Sequence, residues 1–303
     1  MSNQGLREKI LQLKEERKAI ILAHNYQTGE VQDIADFVGD SLGLSQQAAK
    51  TDAEVIVFCG VHFMAETAAI LSPDKIVLLP DLNAGCPMAD MITAEQLREE
   101  KMKNPGARVV CYVNSTAEVK AECDVCCTSS NSIKVVESLD EERPIIFVPD
   151  KYLGSYIATK TRQRLILWPG YCPTHMKISV DDIVTLKNQY PQAEILVHPE
   201  CRPEVIVKAD YVLSTGGIIK RVRQSSAKEF IIGTETGILH RLRKENPEKV
   251  FIPASMRAVC PNMKSITLEK VLWSLERMEF QIAVPPHIRE RALRAVNRML
   301  ELV

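Results

Sequence analysis

Three stretches of this 303-residue chain repeat one pattern: GCPMADMITAEQ (85–96), YCPTHMKISVDD (171–182) and VCPNMKSITLEK (259–270). In each stretch a hydroxyl residue follows the cysteine by seven positions and an acidic residue follows it by nine. This combination is typical of a helix N-terminus, where the hydroxyl caps the backbone and the acid faces the positive end of the helix dipole. Because Cys86, Cys172 and Cys260 are 86 and 88 residues apart, we interpret the chain as three copies of one structural unit.

The sequence between these loops predicts an α/β fold. Short apolar runs rich in Val and Ile alternate with amphipathic stretches of helix length. Because the runs are apolar on both faces, they are typical of parallel strands that are covered by helices on both sides. The predicted strands are Ala19–Ala23, Val55–Cys59, Ile76–Leu79, Val109–Val113, Ile145–Val148, Leu165–Trp168, Ile195–Val197, Tyr211–Leu213, Phe230–Ile232, Val250–Ile252 and Phe280–Val284.

The repeat also predicts the domain organisation. We expect three pseudo-symmetric, three-layer αβα domains around one central cluster site, to which each domain contributes its Cys-Pro loop. The first domain covers residues 1–86 and is completed by residues 265–303, which include a C-terminal helix over 287–301. The second domain covers residues 87–172, and the third covers residues 173–264.

The composition argues against several classes of protein. The chain has 38 Lys and Arg against 39 Asp and Glu, so no basic excess favours nucleic-acid binding. No apolar run approaches the length of about 18 residues that a membrane span needs. The charged N-terminal helix is also unlike a signal peptide. We therefore expect a cytoplasmic protein without a nucleic-acid or membrane partner.

Nine cysteines are the unusual feature of the composition, and in a reducing compartment they are buried, catalytic or metal-ligating. Three thiolates that converge on one point, Cys86, Cys172 and Cys260, favour a metal centre over the alternative of three small buried hydrophobes. Structural zinc normally has four ligands, so three isolated cysteines fit it poorly. A [4Fe–4S] cluster held by three cysteines leaves one iron free to act as a Lewis acid toward a substrate hydroxyl or carboxylate.

An open iron favours dehydration or condensation chemistry, because an electron carrier is expected to hold all four corners of its cluster. Two alternatives stay open on the residues alone. One is a hydro-lyase that uses the same cluster on a different acid, and the other is a structural or electron-carrying iron–sulfur protein. The remaining cysteines are expected to lie outside the site: Cys59 and Cys111 in strands, Cys123, Cys126 and Cys127 in a locally packed CxxCC run, and Cys201 after an HPE motif.

Polar residues follow the predicted first strand of each unit, as His24-Asn25-Tyr26, Tyr112-Val113-Asn114 and His198-Pro199-Glu200. Ligands of open α/β sheets bind beyond the carboxyl ends of the strands, so these residues predict a polar pocket. Small hydroxyl residues and glycines at 128–130 and 214–217 suit an anion, which their backbone amides can approach. The GDSL sequence at 39–42 matches an esterase signature, but the Asp-x-x-His that such an enzyme needs does not occur in the sequence.

Together these motifs resemble the quinolinate synthase (NadA) family, and the resemblance covers nearly the whole chain. The matching segments are ILAHNYQ (21–27), DIADFVGDSL (33–42), CPMAD (86–90), YVNST (112–116), TSSN (128–131), VHPEC (197–201), STGG (214–217), GTETG (233–237) and CPNMK (260–264). The fold of that family, a triangular arrangement of three αβα domains, agrees with the predicted repeat.

The resemblance implies a condensation of iminoaspartate with dihydroxyacetone phosphate to quinolinate, with loss of phosphate and water, in NAD biosynthesis. It implies that Cys86, Cys172 and Cys260 ligate one [4Fe–4S] cluster per chain, whose remaining iron meets the substrate. It assigns substrate binding to His24, Ser41, Tyr112, Asn114, Ser129, His198, Glu200 and Thr215, and proton transfer to Tyr26 and Glu200 with help from His198. It also implies a partner enzyme that supplies iminoaspartate, an aspartate oxidase or dehydrogenase.

Overall fold

Separate β-sheets form the framework of the protein. The computed structural model describes residues 2–302, and within them three sheets of four parallel strands occur. Sheet 1 contains β1 (Ala19–His24), β2 (Phe37–Gly39), β3 (Val55–Cys59) and β4 (Ile76–Leu78). Sheet 2 contains β5 (Arg108–Tyr112), β6 (Val125–Cys127), β7 (Ile145–Val148) and β8 (Leu165–Leu167). Sheet 3 contains β9 (Glu194–Val197), β10 (Tyr211–Val212), β11 (Glu229–Gly233) and β12 (Val250–Pro253).

Helices connect and cover these strands. The α-helices are α1 (Asn3–Glu16), α2 (Gly29–Ile34), α3 (Ser41–Lys50), α4 (His62–Leu71), α5 (Ala94–Lys103), α6 (Ala117–Lys120), α7 (Ser132–Glu137), α8 (Lys151–Ala158), α9 (Val180–Gln189), α10 (Pro203–Ile206), α11 (Thr215–Gln224), α12 (Ile238–Glu245), α13 (Leu268–Arg277) and α14 (Pro286–Glu301). Among residues 2–302, no helix combines the length and the apolar character that crossing a membrane would require.

The sheets share one strand order. It is β2-β1-β3-β4 in sheet 1, β6-β5-β7-β8 in sheet 2 and β10-β9-β11-β12 in sheet 3. Every neighbouring pair of strands is parallel. The same order in successive parts of one chain confirms the internal repeat and the α/β class that the sequence predicts.

The central strands of the sheets are covered on both faces. All residues of β3 and of β7 are buried. In sheet 3, Leu196 and Ile232 belong to one apolar cluster, whereas the alternate residues Val197 and Ile231 belong to another. Because successive side chains of a strand point to opposite faces, sheet 3 has an apolar layer on each side. This is the αβα layering that the apolar runs predict.

Each Cys-Pro pair follows the last strand of its sheet and leads into a short 3₁₀ helix, at Ala89–Met91, His175–Lys177 and Met263–Ser265. A capped α-helix comes next. Thr93, Ser179 and Thr267 are the N-caps of α5, α9 and α13, and each side chain accepts a hydrogen bond from a backbone N–H of the first turn. The predicted caps are therefore confirmed.

The segment that was expected to form a strand over Phe280–Val284 is not a strand, and that expectation is wrong. Met278 and Phe280 adopt the left-handed backbone region, with φ of 53° and 64°. The chain therefore turns sharply after α13, and only Gln281 makes a bridge, antiparallel to Leu78 of β4. Two backbone hydrogen bonds flank this bridge, from the N–H of Leu79 to the carbonyl of Phe280 (3.1 Å) and from the N–H of Ile282 to the carbonyl of Val77 (2.8 Å), so the segment pairs with the edge of sheet 1 only locally.

The C-terminal helices reach more than one unit. Helix α13 packs against α1 and β3, next to sheet 1. Helix α14, which the sequence predicts over 287–301, packs against α4 and also against α6 and β6 of sheet 2. The domain boundaries at 86, 172 and 264, with 265–303 assigned to the first domain, stay a prediction.

Strand β2 is an element that the sequence analysis missed. It has three residues, Phe37–Gly39, and pairs with β1. Such a short run gives little periodicity, but the Asp40 and Ser41 that follow it correspond in position to the residues after β6 and β10. The GDSL serine is therefore a residue at the end of a second strand. Asp40 caps α3 by accepting a 2.9 Å hydrogen bond from the N–H of Gly43.

Candidate active site

A cavity lies where residues that follow strands of all three sheets meet. Every side chain that the resemblance assigns to the site lies in the wall of this cavity: His24, Tyr26, Ser41, Cys86, Tyr112, Asn114, Ser129, Cys172, His198, Glu200, Thr215 and Cys260. The fold brings them together because the carboxyl ends of parallel strands lie at one edge of each sheet. Their individual roles stay predictions. Other polar residues that the sequence places in the pocket do not line it: Asn25, Thr128, Ser130 and Ser214.

Each Cys-Pro loop places one thiol in the wall of this cavity. Backbone N–H groups of the following turn donate hydrogen bonds to the sulfurs, from Met88 and Ala89 to Cys86, from His175 to Cys172, and from Asn262 and Met263 to Cys260. Burial raises the pKa of each thiol, that of Cys86 to about 12, and a neighbouring thiolate raises the pKa of Cys86 and of Cys172 further. Because burial and mutual repulsion disfavour the charged form, these three groups can be thiolates at neutral pH only with a positive charge beside them, such as that of a bound metal. The residues present therefore fit a metal cluster held by three thiolates.

Cys172 belongs to a second set of donor atoms as well. Its sulfur, a ring nitrogen of His175 and a carboxylate oxygen of Glu200 all lie within 4.8 Å of one another. Thiolate, imidazole and carboxylate are also the ligand types of a single divalent metal ion. The cavity therefore offers two overlapping sets of metal donors that share Cys172.

A chain of polar contacts runs from Tyr26 to Tyr112 along the cavity wall. The Tyr26 hydroxyl is hydrogen-bonded to Oγ1 of Thr234, which lies 2.9 Å from Nε2 of His175. Nδ1 of His175 lies 2.8 Å from Oε2 of Glu200, and Oε1 of Glu200 accepts a 2.5 Å hydrogen bond from the Tyr112 hydroxyl. Side chains from all three sheets are thus connected through one carboxylate.

Burial dominates the electrostatics of this wall. It lowers the pKa of His24 to about 4 and that of His198 to about 3, because it removes the water that would hydrate an imidazolium. Burial, and then the charge of Glu200, raise the pKa of Tyr26 well above its usual value. Burial also acts to raise the pKa of Glu200, but the neighbouring imidazoles of His175 and His198 and the hydrogen bond from Tyr112 together outweigh burial, so that pKa lies below its usual value. At neutral pH the cavity therefore holds neutral His24 and His198, a protonated tyrosine and a carboxylate.

Two buried polar atoms of the wall find no hydrogen-bond partner among residues 2–302. One is Nδ1 of His175, whose contact with Glu200 lacks hydrogen-bond geometry, and the other is Oδ1 of Asn114. An unpaired buried polar group costs roughly 1–3 kcal/mol. These two atoms therefore point to a bound molecule in the cavity.

Hydroxyl residues that follow the second strand of each sheet form another part of the wall. Ser41 and Thr215 are the first residues of α3 and α11, and Ser129 lies shortly before α7. Nδ2 of Asn25 donates a 2.9 Å hydrogen bond to Oγ1 of Thr215, and Oγ of Ser129 lies 3.2 Å from Nε2 of His198. Helix N-termini and hydroxyls are typical binding groups for phosphate and carboxylate. This part of the wall suits an anionic ligand.

The sequence analysis missed His175, Thr234 and Glu235, which are buried and belong to the site or its support. His175 is the third residue after its cysteine, where the other copies have Ala89 and Met263, so a histidine among apolar counterparts was the available signal. Thr234 and Glu235 follow β11, which is the third strand of sheet 3 in chain order. The sequence analysis predicted site residues only after the first and second strands of each unit.

The cysteines that were expected outside the site lie elsewhere. Cys59 and Cys111 are fully buried within their strands, as predicted. Cys201 is also fully buried, and its thiol donates a 3.4 Å hydrogen bond to the carbonyl of Gly233. Cys126 and Cys127 lie on β6, and Cys123 lies in the turn before that strand.

The fold and the cavity define a class of protein: an α/β protein of three similar units that share one polar, cysteine-lined site. A comparison with protein families identifies the family more closely. The family described as "Quinolinate synthetase A protein", NadA, matches residues 8–301. The chain belongs to this family.

Curated relatives agree with the family over their full length. The chain is 61% identical over 303 residues to the quinolinate synthase of Dehalococcoides mccartyi strain CBDB1, with all of both chains covered. It is 56% identical over 302 residues to quinolinate synthase 2 of Methanosarcina acetivorans, covering 100% of this chain and 97% of the relative. It is 58% identical over 293 residues to the quinolinate synthase of Desulforudis audaxviator, covering 97% of each.

Proposed function

We propose that this chain is a transferase that condenses iminoaspartate with dihydroxyacetone phosphate to quinolinate, releasing phosphate and water, in NAD biosynthesis. The observation that carries the proposal is the meeting of three thiols, each from an equivalent loop, with the Glu200 carboxylate in one cavity. Membership of the family over residues 8–301 supports the choice of substrates.

Cys86, Cys172 and Cys260 would hold one [4Fe–4S] cluster per chain, with one iron free of cysteine. When bound, the cluster supplies a Lewis acid that stabilises a departing hydroxide or an enolate. The backbone N–H groups that point at each sulfur support this assignment, because hydrogen bonds to the sulfurs tune such clusters.

The polar wall suits the charges of both substrates, which carry two carboxylates and a phosphate. Neutral imidazoles, hydroxyls and an amide can donate hydrogen bonds to these anions, and the N-termini of α3 and α11 add favourable dipoles. We assign substrate binding to His24, Ser41, Tyr112, Asn114, Ser129, His198, Glu200 and Thr215, all of which lie in the wall.

Glu200 and Tyr26 are the groups that we assign to proton transfer. As a carboxylate, Glu200 can accept a proton from a carbon next to the imine or the carbonyl. The Tyr26 hydroxyl stays protonated over the physiological range and can donate to a leaving oxygen. His198 is neutral and lies beside both the carboxylate and Ser129, where it can orient the substrate. Thr234 and His175 connect Tyr26 with Glu200 through the contacts described above.

The test is to purify the protein without oxygen and to measure iron, sulfide and quinolinate formation in wild type and single variants. We expect about four irons and four sulfides per chain in wild type. Cys86→Ala, Cys172→Ala and Cys260→Ala should each lose iron and activity. The matched control Cys201→Ala, which removes a buried thiol outside the cavity, and His175→Gln should keep their iron.

A single metal ion on Cys172, His175 and Glu200 would give a different pattern. In that case Cys86→Ala and Cys260→Ala would keep their metal, whereas His175→Gln would lose it. A full cluster without any quinolinate formation would instead support the rival hydro-lyase, which acts on a different acid.

We also propose a cytoplasmic location and a supply of iminoaspartate from an aspartate oxidase or dehydrogenase. Iminoaspartate is unstable in water, so the enzyme that forms it must act in the same compartment. A mixture of this protein with such an oxidase should form quinolinate from aspartate and dihydroxyacetone phosphate, whereas either protein alone should not.

A further inference from the structure

The GDSL segment at 39–42 contains an aspartate, Asp40, to which the proposed reaction gives no role. Its carboxylate reaches side chains of both other units. Oγ of Ser130, three residues after β6, donates a 2.6 Å hydrogen bond to Oδ2 of Asp40. Oγ of Ser214, two residues after β10, lies 2.8 Å from Oγ of Ser130 and 3.4 Å from the same carboxylate oxygen. These three residues, each after the second strand of its sheet, form what we call the three-unit junction.

The carboxylate sets the direction of the hydrogen bonds in the three-unit junction, because it can only accept. Ser130 uses its single proton toward Asp40, so its oxygen accepts the proton of Ser214. Oγ of Ser214 in turn accepts a 3.1 Å hydrogen bond from the N–H of Gly217, and Oδ1 of Asp40 accepts one of 2.9 Å from the N–H of Gly43. One chain of hydrogen bonds therefore connects the first turn of α11 with the first turn of α3.

A glycine leaves room for this carboxylate. A Cβ atom at Gly216, in the first turn of α11, would lie 2.6 Å from Oδ2 and 3.2 Å from Cγ of Asp40. Both distances are shorter than van der Waals contact. Because hydrogen bonds hold both oxygens, the carboxylate cannot move aside without losing Ser130 or Gly43. The close approach of α11 to Asp40 therefore requires glycine at position 216.

Each residue of the three-unit junction is the direct neighbour in sequence of a hydroxyl residue in the cavity wall, and these neighbours are Ser41, Ser129 and Thr215. We propose that Asp40 is a positioning residue, which through the three-unit junction holds these hydroxyls together as one binding site for an anionic group. Nδ2 of Asn25 donates to Oγ1 of Thr215, so the threonine keeps its own proton to donate to such a ligand.

The position of the three hydroxyls matters because they belong to different sheets. Hydrogen bonds weaken steeply when the distance or the angle departs from the preferred geometry. An anion can therefore accept from all three hydroxyls only while the units keep their relative positions. The alternative is that the three-unit junction stabilises the contact between units and does nothing else. Such a contact affects the melting temperature alone, whereas a positioning contact also affects the anion affinity of the folded protein.

Asp40→Ser separates the junction from the helix cap, because serine caps a helix about as well as aspartate but is too short to reach Ser130. The test titrates the holoenzyme, without oxygen, with quinolinate and with inorganic phosphate in a calorimeter. We expect the Kd of at least one of these anions to rise about tenfold in Asp40→Ser, with unchanged iron content. The anion that binds more weakly identifies the group that the three hydroxyls hold. An unchanged Kd for both anions, or wild-type protein that binds neither, would overturn the proposal.

Gly216→Ala tests the same contact from the side of α11. In the wild-type background it should displace the carboxylate, weaken the same anion about tenfold and lower the melting temperature by about 2 °C or more. In the Asp40→Ser background the methyl group meets no carboxylate, so it should change neither quantity for the worse. Gly43→Ala is the matched control, because its Cβ would lie at ordinary contact, 3.4 Å from Oδ1 of Asp40. Equal effects of Gly216→Ala in both backgrounds would overturn the role of Asp40.

The kinetic consequence rests on the proposed function, whereas phosphate binding and the Gly216 comparison do not. Asp40→Ser should lower kcat/KM for dihydroxyacetone phosphate about tenfold. Wild-type protein that forms no quinolinate would contradict the proposed function, and the phosphate affinities would then decide the role of Asp40. If wild type forms quinolinate and Asp40→Ser has the same kcat/KM, the proposed function stands and the positioning role is wrong.

Discussion

The hydroxyl of Tyr112, at the end of β5 in sheet 2, donates a 2.5 Å hydrogen bond to Oε1 of Glu200, which follows β9 in sheet 3. The other oxygen, Oε2, lies 2.8 Å from the ring of His175. The Glu200 side chain is only 5% exposed, so these neighbours replace the water that a carboxylate would otherwise bind. The position of the carboxylate therefore depends on contacts between units, and no single αβα unit could provide it.

Replacing Tyr112 by phenylalanine should lower kcat/KM for quinolinate formation by about 10- to 100-fold, because a hydrogen bond to a charged group contributes roughly 1.5–3 kcal/mol. Since the hydroxyl helps to lower the pKa of Glu200, its loss should also raise that pKa and move the acid limb of the pH–rate profile upward. Tyr156→Phe on the exterior helix α8 is the matched control and should leave kcat/KM unchanged. Equal kinetics of the two variants would contradict a role for the Tyr112 hydroxyl.

Buried neutral histidines should make the protein sensitive to mild acid. Burial lowers the pKa of His24 to about 4, whereas an unfolded histidine has a pKa of about 6.5. Above pH 6.5 neither state is protonated. As the pH falls from 6.5 toward 4, only the unfolded state gains the proton, so the free energy of unfolding falls by up to about 1.4 kcal/mol per pH unit for this group.

Urea unfolding of the metal-free protein at several pH values measures this slope. His24→Gln should flatten it between pH 4 and 6.5. His62→Gln is the control, because the His62 side chain is 42% exposed, and this variant should keep the slope of wild type. A His24→Gln protein with the same slope as wild type would show that the acid sensitivity comes from other groups.

The repeated Cys-Pro loops made most of the fold predictable from sequence. The nearly constant spacing of the three cysteines predicts three units, and an N-cap hydroxyl follows each cysteine by seven positions. The errors lie where tertiary contacts override local pattern. Phe280–Val284 has the apolar residues of a strand, but the left-handed backbone at Met278 and Phe280 turns the chain out of extended geometry. Strand β2 is too short to show a period.

The candidate site could be predicted as far as it follows strand ends and repeats. Tyr26, Tyr112 and Glu200 were found because they follow first strands. His175 was missed because the two other copies carry apolar residues at its position, so the repeat gave no reason to expect a polar group. Thr234 contacts Tyr26, which is 208 positions away in the sequence, and His175, which is 59 positions away. A local sequence pattern cannot predict contacts between residues so far apart in the chain.

The capping hydroxyl of α5 can be tested separately from the site. Thr93 accepts a hydrogen bond from the N–H of Gln96, and the Gln96 side chain accepts one from the N–H of Thr93. Thr93→Ala should lower the free energy of unfolding by about 1 kcal/mol, as measured by urea unfolding, while iron content and kcat stay unchanged. Thr93→Ser keeps the hydroxyl and should lose much less stability. A loss of iron in Thr93→Ala would mean that the cap also positions Cys86.

Lys264, whose side chain is 23% exposed, forms an ion pair with the buried carboxylate of Glu235 behind the Cys260 loop, and loss of the lysine should lower the stability of the protein. Nζ of Lys264 lies 2.9 Å from Oε1 of Glu235 and also donates to the carbonyl of Tyr26. Glu235 accepts hydrogen bonds from the N–H groups of Cys260, at 3.1 Å, and Gly237, at 2.7 Å. The Glu235 carboxylate therefore contacts both the backbone of Cys260 and the ammonium of Lys264, which in turn donates to the backbone of Tyr26, in the segment between β1 and α2 (the Tyr26 loop).

Lys264→Met should lower the free energy of unfolding of the metal-free protein by about 3 kcal/mol, because it leaves a fully buried carboxylate without its cation. Lys264→Met combined with Glu235→Gln should lose less than the sum of the single changes, with a coupling of about 1–3 kcal/mol in urea unfolding. Lys244→Met is the matched control: its side chain is 64% exposed and pairs with Asp33 at the surface, so it should cost less than about 1 kcal/mol. If Lys264→Met cost no more than Lys244→Met, or if the double variant were additive, Glu235 and Lys264 would be independent groups. The Tyr26 loop would then be held by its remaining hydrogen bonds, and the Cys260 loop could be altered without changing the position of Tyr26.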